Sequence, residues 1–279
     1  MTYVVSDLHG NHAAFQNLLK KINFTEDDIL YVVGDIVDYG EYSMDLLCEI
    51  SMMPNVYAVV GEHDLKALRM LSAFDKMSKS GEAPTPEFAE EMSRWVREEG
   101  GAPTLAGFRE LDDEMKEGVL DFLAEMTYYE EITVNDETFL MVHAGFANFS
   151  PDREIDDYEV DELITEPLDV DGEYYEDKTI VVGHIPTCDL PEGDAGRIYY
   201  GNGSISMDCG ACKGYPIGCL CLETLKEFYS DAEEGSDYAF RDRDQQSRCG
   251  CRQARGRTRC VRPRRRHRRH DRGSCHQDQ

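Results

Sequence analysis

The feature that most restricts the fold of this sequence is a series of short apolar runs that each end in a glycine, an aspartate or a histidine. The intervals between the first three runs show the apolar spacing of amphipathic helices. A strand–helix–strand–helix–strand order is the pattern of a parallel sheet in an α/β protein. The first three runs are Thr2–Ser6 before Asp7, Ile29–Val33 before Gly34-Asp35, and Val56–Val60 before Gly61-Glu62-His63-Asp64.

Polar residues that follow the carboxyl ends of parallel strands collect in one crevice. This chain places Asp and His at such positions five times, and glycines beside them allow tight backbone turns. A mixture of carboxylates and imidazoles suits Mn, Fe or Zn better than Ca or Mg. The five motifs are Asp7-Leu-His9-Gly10, Gly34-Asp35-Ile-Val-Asp38, Gly61-Glu62-His63-Asp64, His143-Ala-Gly145 and Gly183-His184-Ile-Pro186.

The rest of the chain predicts two sheets with helices outside them. Residues 65–130 are rich in Glu, Met and Lys at helical spacing, with a turn at Gly100-Gly101, so we interpret them as a helical insertion beside the site. Strands are expected to resume at Thr138–Val142, Thr179–Val182, Ser204–Met207 and Ile217–Leu222. One catalytic domain over residues 1–236 accounts for this pattern.

The charge divides the chain in two. The net charge is −27, but residues 237–279 hold fourteen Arg and five Asp, which leaves −36 for residues 1–236. A domain with this much negative charge repels nucleic acid. We therefore expect no nucleic-acid binding except through the Arg-rich tail. The tail has almost no aliphatic residues, so we expect a disordered, solvated extension.

The remaining composition favours a cytoplasmic protein. No apolar run approaches the length of a membrane span, and the strand-like start at Thr2 leaves no room for a signal peptide. The pairs Cys209/Cys212 and Cys219/Cys221 do not have the combined spacing of a structural zinc site. We therefore expect reduced thiols packed in strands.

In their order, the five motifs resemble those of the calcineurin-like metallophosphoesterases, and within them the bacterial serine/threonine protein phosphatases. The resemblance extends over about residues 1–230 and includes Met207-Asp208-Cys209-Gly210. The sequence Gly183-His184-Ile-Pro186 is typical of the protein-phosphatase branch. The resemblance implies a two-sheet sandwich flanked by helices and hydrolysis of phosphomonoesters, either on phosphorylated proteins or on small phosphate esters.

The resemblance also implies a centre of two divalent metal ions. Two such ions can activate a shared water as hydroxide and clamp the phosphoryl oxygens. We expect manganese, with iron or zinc as alternatives. By match to the family motifs, the ligands are Asp7 and His9 for the first ion, Asp35 bridging both, and His143, His184 and Glu62 for the second.

Two further residues receive catalytic roles from the same match. His63 would protonate the leaving oxygen, and Asp38 would orient His63 and stabilise its protonated form. Tyr39 follows Asp38 and is expected to contact substrate. Within the helical insertion, which holds the only tryptophan, Trp95, we expect the selection of substrate.

Three positions depart from the family pattern. The family has Asn at the position of Glu62, and Arg at the position of Tyr39; a second phosphate-holding Arg is replaced by Glu166. Tyr39 can donate one hydrogen bond but carries no charge, so the phosphate loses its bidentate contacts. Weak catalysis is therefore expected. Arg69 and Arg153 are candidate substitutes, although surface ion pairs are the simpler expectation for both.

Two other functions stay open on these grounds. One is hydrolysis of a dinucleoside polyphosphate, which would need cationic groups that the acidic domain supplies sparsely. The other is a metal-binding pseudo-phosphatase that captures a partner without turnover, a hypothesis motivated by Glu62, Tyr39 and Glu166.

Overall fold

The computed structural model describes residues 1–231, and the Arg-rich segment for which disorder was expected lies outside them. In this part of the chain, two five-stranded sheets face each other, with helices on their outer sides. The prediction of an α/β two-sheet sandwich is confirmed. The strands are β1 (Thr2–Val5), β2 (Ile29–Val33), β3 (Val56–Val59), β4 (Tyr129–Val134), β5 (Glu137–Val142), β6 (Lys178–Val182), β7 (Tyr199–Tyr200), β8 (Ser204–Ser206), β9 (Gly218–Cys221) and β10 (Lys226–Tyr229).

Both sheets are mixed, with a parallel centre. The first has the order β10-β9-β1-β2-β3 and the second β4-β5-β6-β8-β7. Strands β1, β2 and β3 run parallel, as do β5, β6 and β8, so the carboxyl ends of each set lie at one edge. These are the edges at which the Asp- and His-bearing turns begin.

The two sheets pack through alternate residues of their strands. Val4 and Val33 of the first sheet meet Met141 and Val181 of the second, all of them fully buried. The intervening residues, such as Val5 and Val32, point to the other side and pack under helices. Strands buried on both faces are apolar throughout rather than alternating, which explains the continuous apolar runs of β1 and β2.

The helices cover the outer faces. Between β3 and β4, four consecutive helices occupy the region in which a helical insertion was expected, and they begin directly at the third motif. Helix α4 starts where Thr85 accepts a hydrogen bond from the Phe88 amide and Pro86 takes the first helical position. The helices are α1 (His12–Ile22), α2 (Ser43–Ser51), α3 (Glu62–Ser80), α4 (Pro86–Glu98), α5 (Ala102–Glu110), α6 (Asp113–Glu125) and α7 (Val160–Ile164).

Some elements were not predicted. Strand β4 is rich in Glu and only half-buried, because it lies at the edge of its sheet, so its apolar pattern is weak. Strand β7 and helix α7 are too short for a periodic signal. The cysteines of the described part are free thiols, as expected, but Cys209 and Cys212 lie in the turn after β8 rather than in a strand.

Within residues 1–231, no helix combines the length and the apolar character needed to cross a bilayer.

The core gives a matched stability prediction. Met70 of α3 is fully buried, whereas Met52, just after α2, is 75% exposed. We expect Met70→Ala to lower the free energy of unfolding by about 2–5 kcal/mol, since it removes buried methylenes and leaves a cavity. Met52→Ala should change it by less than about 0.5 kcal/mol. Urea titration followed by circular dichroism measures both, and equal losses would contradict this packing.

Candidate metal centre and acid–base dyad

The turns that follow the parallel strands are joined to each other by backbone hydrogen bonds. The amides of Asp7 and His9 donate to the carbonyls of Gly34 and Asp35, at 3.1 and 2.9 Å. Within the second sheet, the Gly183 amide donates to the His143 carbonyl at 2.8 Å, and the His184 amide donates to Asp7 Oδ1 of the first sheet's turn at 3.1 Å. The strand-end turns of both sheets therefore form one continuous site, as the sequence predicted.

Most of the predicted site residues have a left-handed backbone. Such conformations are uncommon for residues other than glycine and cluster at functional sites, where the surrounding structure must hold them. Here the turns are held by the hydrogen bonds between them. The residues concerned are Asp7 (φ 52°), His9 (φ 43°), Asp35 (φ 55°), Asp38 (φ 70°), Tyr39 (φ 64°) and His184 (φ 67°).

Asp35 stands at the centre of the site. Its Oδ2 lies 3.3 Å from Nε2 of His143 and 3.8 Å from Nε2 of His9. Gly61 makes room for it, because a Cβ there would lie 2.1 Å from Asp35 Oδ1. One carboxylate thus faces two imidazoles that come from different sheets, which is the arrangement expected of a bridging ligand.

The two imidazoles are oriented for a cation. In each ring Nδ1 faces a backbone carbonyl, Val33 O at 3.0 Å for His143 and Val37 O at 3.1 Å for His9. A carbonyl only accepts, so Nδ1 carries the hydrogen and the lone pair of the neutral ring is on Nε2. Nε2 of His143 is completely buried and has no hydrogen-bond partner within the described part. A lone pair that faces a carboxylate needs a cation between them, and a carbonyl on Nδ1 is the usual support of a metal-ligating His.

Two groups of side chains could each hold a metal ion. One is His9, Asp35 and His63, and the other is Asp35, His143 and His184; in each group the ligand atoms lie within 4.8 Å of one another. Asp35 belongs to both. The donor set of four imidazoles, two of them buried, and a shared carboxylate fits a pair of divalent transition-metal ions.

Asp7 and Glu62 lie beside these groups rather than within them. The carboxylate of Asp7 accepts hydrogen bonds from the Ser6 hydroxyl and, at 3.1 Å, from the His184 amide. Glu62 Oε1 is 3.8 Å from both His63 Nε2 and His184 Nδ1, so its carboxylate lies between the two groups. The ligand roles assigned to Asp7 and Glu62 stay predictions.

The pKa values of the imidazoles follow from burial and from Asp35. Burial lowers the pKa of His9 to about 4, and burial together with the charge of His143 lowers that of His184 to about 4, so both are neutral at pH 7 as ligands must be. Burial also acts to lower the pKa of His143, but Asp35 outweighs it and raises the pKa to about 10. In the chain alone a proton on His143 thus compensates Asp35, and a metal ion would take the place of that proton.

Asp64 is a site residue to which sequence reasoning gave no role. Its carboxylate is fully buried and accepts the amides of Asp35 at 2.8 Å, Ile36 at 2.9 Å and Gly61 at 3.1 Å. It therefore joins the second motif to the third and fixes the turn that presents Asp35. Its place within Gly61-Glu62-His63-Asp64 was the only available signal.

The predicted dyad of His63 and Asp38 is formed. His63 Nδ1 lies 2.8 Å from Asp38 Oδ2, which leaves Nε2 facing the site. Burial lowers the pKa of His63, but the charge of Asp35 and the hydrogen bond to Asp38 outweigh it and raise the pKa to about 9. The imidazole can therefore hold a proton on Nε2 at neutral pH, which a general acid requires.

The helical insertion supports this dyad. Asp38 is fully buried and accepts two more hydrogen bonds, from Trp95 Nε1 at 2.9 Å and from Thr104 Oγ1 at 2.7 Å. Trp95 is itself fully buried against Gly101, where a Cβ would lie 2.2 Å from the indole. The Trp95 side chain is thus inaccessible and holds Asp38, while the expectation that the helical insertion selects substrate stays a prediction.

The residues that depart from the family pattern, and the two candidate substitute arginines, have the following surroundings in the structure. Tyr39 packs edge-on against the rings of His9 and His63, each with a centroid separation of 5.1 Å. Glu166 is exposed in the segment after α7. Arg69 pairs with Glu91 at 2.7 Å, and Arg153 pairs with Glu162 at 2.6 Å, so both arginines form the ion pairs that were the simpler expectation.

The family follows from comparison with known proteins. The model of the calcineurin-like phosphoesterase family matches residues 2–206. This chain therefore belongs to the calcineurin-like phosphoesterases.

Individual relatives match less completely. A symmetrical bis(5'-nucleosyl)-tetraphosphatase from Salmonella paratyphi B is 34% identical over 104 residues, which are 34% of this chain and 36% of the relative. The match thus spans about a third of the length of these curated relatives. A solved structure provisionally described as a diadenosine tetraphosphatase has a TM-score of 0.56 at 20% identity, over 84% of this chain and 94% of that one, which supports the fold.

The central position of Asp35 gives a prediction for metal binding. Since Asp35 Oδ2 faces His9 and His143, we expect Asp35→Asn to lose both metal ions rather than one. Asp121→Asn, an exposed change on α6, is the matched control and should bind like the unchanged chain. The measurement is manganese per chain by mass spectrometry after loading and dialysis. Retention of two ions by a folded Asp35→Asn variant would refute the assignment.

The support of Asp38 by the insertion gives a second prediction. Thr104→Val keeps the shape of the side chain but removes one donor from a buried carboxylate. We expect a loss of about 1–3 kcal/mol in the free energy of unfolding. Thr133→Val, at an exposed position of β4, should be neutral within about 0.5 kcal/mol. Denaturant titration of both variants decides, and a neutral Thr104→Val would show that the hydrogen bond does not support Asp38.

Proposed function

We propose that this calcineurin-like phosphoesterase hydrolyses phosphomonoesters, either phosphoserine and phosphothreonine in proteins or small phosphate esters. The proposal rests on one observation above all, the position of the His63–Asp38 dyad beside the shared carboxylate Asp35. The dyad favours a proton on Nε2 of His63, and a protonated nitrogen can act as an acid but not as a metal ligand.

The metal ions are proposed to be manganese, held by Asp35, His9, His143 and His184, with Asp7 and Glu62 adjoining them. Bound there, they would supply Lewis-acid polarisation of the phosphoryl group and a more acidic attacking water. Asp35 and the imidazoles orient them, because each ring is fixed by its own carbonyl or packing contact.

The proton for the leaving group would come from the chain itself, through His63. Nδ1 of His63 stays bound to Asp38, so the proton on Nε2 is the one available to the oxygen of the leaving group. Asp38 stabilises the protonated ring and keeps it from rotating, while Trp95 and Thr104 fix Asp38. Protonation of the leaving oxygen matters most when that oxygen is strongly basic, as in a serine, threonine or sugar ester.

Hydrolysis of a dinucleoside polyphosphate is the second candidate. The similarity to the tetraphosphatase from Salmonella paratyphi B over 104 residues favours it. A long polyphosphate needs several cationic contacts, however, and the six residues that line the cavity at His63 include two basic ones, His63 and Lys66, against three glutamates. We therefore rank phosphomonoesters first.

The acid role of His63 is testable through the leaving group. With the manganese-loaded full chain, we expect His63→Gln to slow hydrolysis of phenyl phosphate roughly a hundredfold, because its leaving oxygen needs a proton. Hydrolysis of 2,4-dinitrophenyl phosphate, whose leaving group needs none, should fall much less. His12→Gln is the control, since His12 pairs with Glu49 of α2 and belongs to neither group that could hold a metal ion. Equal losses on both substrates would remove the acid role.

Rates of hydrolysis by the same manganese-loaded chain distinguish between the candidate functions. A phosphopeptide should be hydrolysed faster than a dinucleoside tetraphosphate by the unchanged chain. The reverse order would favour the second candidate. No turnover of any of these substrates by a chain that holds two metal ions would leave a binding protein.

A further inference from the structure

Beside His63 lies a cavity of about 410 Å³ that the sequence motifs did not account for. Its position next to the dyad makes it the space into which a leaving group or a phosphoryl oxygen would extend. Among its lining residues, Lys66 is the one basic side chain apart from His63 of the dyad. The lining residues are Tyr39, Glu62, His63, Lys66, Glu98 and Glu99.

Lys66 belongs to an ion-pair network with a surplus positive charge. Its Nζ lies 2.9 Å from Glu91 Oε1 and 3.7 Å from Glu99 Oε2. Each of these carboxylates already has an arginine of its own, since Arg69 pairs with Glu91 at 2.7 Å and Arg94 pairs with Glu99 at 2.8 Å. Three cations thus share two carboxylates, and one positive charge is left over.

The unpaired positive charge acts mainly at Lys66, because Lys66 is the least exposed of the three cations. The side chains of Arg69 and Arg94 are 65% and 53% exposed, so water screens them, whereas Lys66 is 21% exposed. An ammonium group has three donors, and among residues 1–231 Glu91 is the one partner of Lys66 within hydrogen-bond distance. Two donors therefore remain for an anion in the cavity.

The helix places Lys66 on the side of the site. Lys66 follows Glu62 by four residues on α3, and side chains at that spacing lie on one face of a helix. Glu62 is itself 3.8 Å from His63 and His184, so the face that carries it is the face turned to the metal groups. Two lining carboxylates lie outside the Lys66 network, and both are screened by water, because the Glu62 side chain is 41% exposed and Glu98 is exposed.

We propose that Lys66 is a substrate-binding residue that contacts an oxygen of the phosphoryl group, in a chain whose Tyr39 and Glu166 offer no such cation. The inference rests on the proposed phosphoesterase function. Lysine binds phosphate as a point charge without the bidentate geometry of arginine. Lys66 therefore strengthens binding more than it aligns the reaction, and its removal acts on KM rather than on kcat.

Inorganic phosphate is the probe, with the manganese-loaded full chain. Lys66→Met should weaken phosphate binding roughly tenfold by calorimetry and raise the KM of an aryl phosphate by a similar factor, with metal content and kcat little changed. Lys66→Arg should restore both. Arg69→Met is the matched control, because it removes the other cation from Glu91 without lining the cavity.

Glu91→Gln gives an independent readout that does not require loss of Lys66. It releases Nζ from its carboxylate partner, so phosphate binding should become several-fold tighter. A role for Lys66 in holding α3 to α4 alone predicts no such gain. Phosphate affinity in Lys66→Met equal to that in Arg69→Met, or no gain in Glu91→Gln, would overturn the proposal.

The outcomes separate this proposal from the proposed function. A chain that hydrolyses aryl phosphate and is indifferent to Lys66→Met keeps the function and loses the proposal. If the chain binds phosphate through Lys66 without hydrolysing any ester, the phosphate site stands and the catalytic function falls. An unchanged chain that does not bind phosphate overturns the phosphate site as well.

Discussion

Burial of negative charge is the constraint on which the rest of this structure depends. Asp7, Asp35, Asp64 and Asp208 are all at most 2% exposed and lie around one edge of the two sheets. A carboxylate removed from water needs hydrogen-bond donors or a cation. Asp64 is satisfied by backbone amides, and this in turn fixes the turn of Asp35. Asp35 accepts the His63 amide on Oδ1 at 3.0 Å, but its Oδ2 faces the imidazoles of His9 and His143, which makes this oxygen a position for a cation.

Asp7 and Asp208 show the cost of this crowding. Burial and the neighbouring charge of Asp208 raise the pKa of Asp7 well above its usual value, and burial raises the pKa of Asp208 to about 7. Two carboxylates so close together are destabilised as anions unless a cation lies near them. Metal ions bound here would therefore relieve a repulsion between carboxylates that the fold itself creates.

Much of the fold and the centre of the site could be predicted from sequence, because both depend on local signals. The apolar runs of β1 and β2 and the residues directly after them, Asp7 and Asp35, are neighbours in the chain as well as in space. The topology then brings these turns together without further information. Likewise, the pairing of His63 with Asp38 follows from motifs whose order along the chain fixes their position.

The supporting contacts could not be predicted, since they join distant segments by side-chain packing. Trp95 and Thr104 reach Asp38 across more than fifty residues of sequence, and nothing in the helical spacing of α4 and α5 marks them as polar partners. Nothing in the sequence distinguishes Lys66 from a surface lysine, because its ion pairs and part of its cavity are formed by residues from other segments of the chain. Edge strand β4 was not predicted, because its residues are only half-buried and its sequence therefore lacks a clear apolar pattern.

The hydrogen bonds from Trp95 and Thr104 to Asp38 have a consequence for how such a domain can be altered. The helical insertion is not an exchangeable module. The carbonyl of Gly100, in its turn between α4 and α5, also accepts the amide of Tyr39 at 2.8 Å, so the insertion is joined to the turn of Asp38 and Tyr39 by backbone as well as side chains. A chimera that replaced α4 and α5 would leave a buried carboxylate without donors. An exchange of these helices therefore has to keep Trp95, Thr104 and Asp38 together.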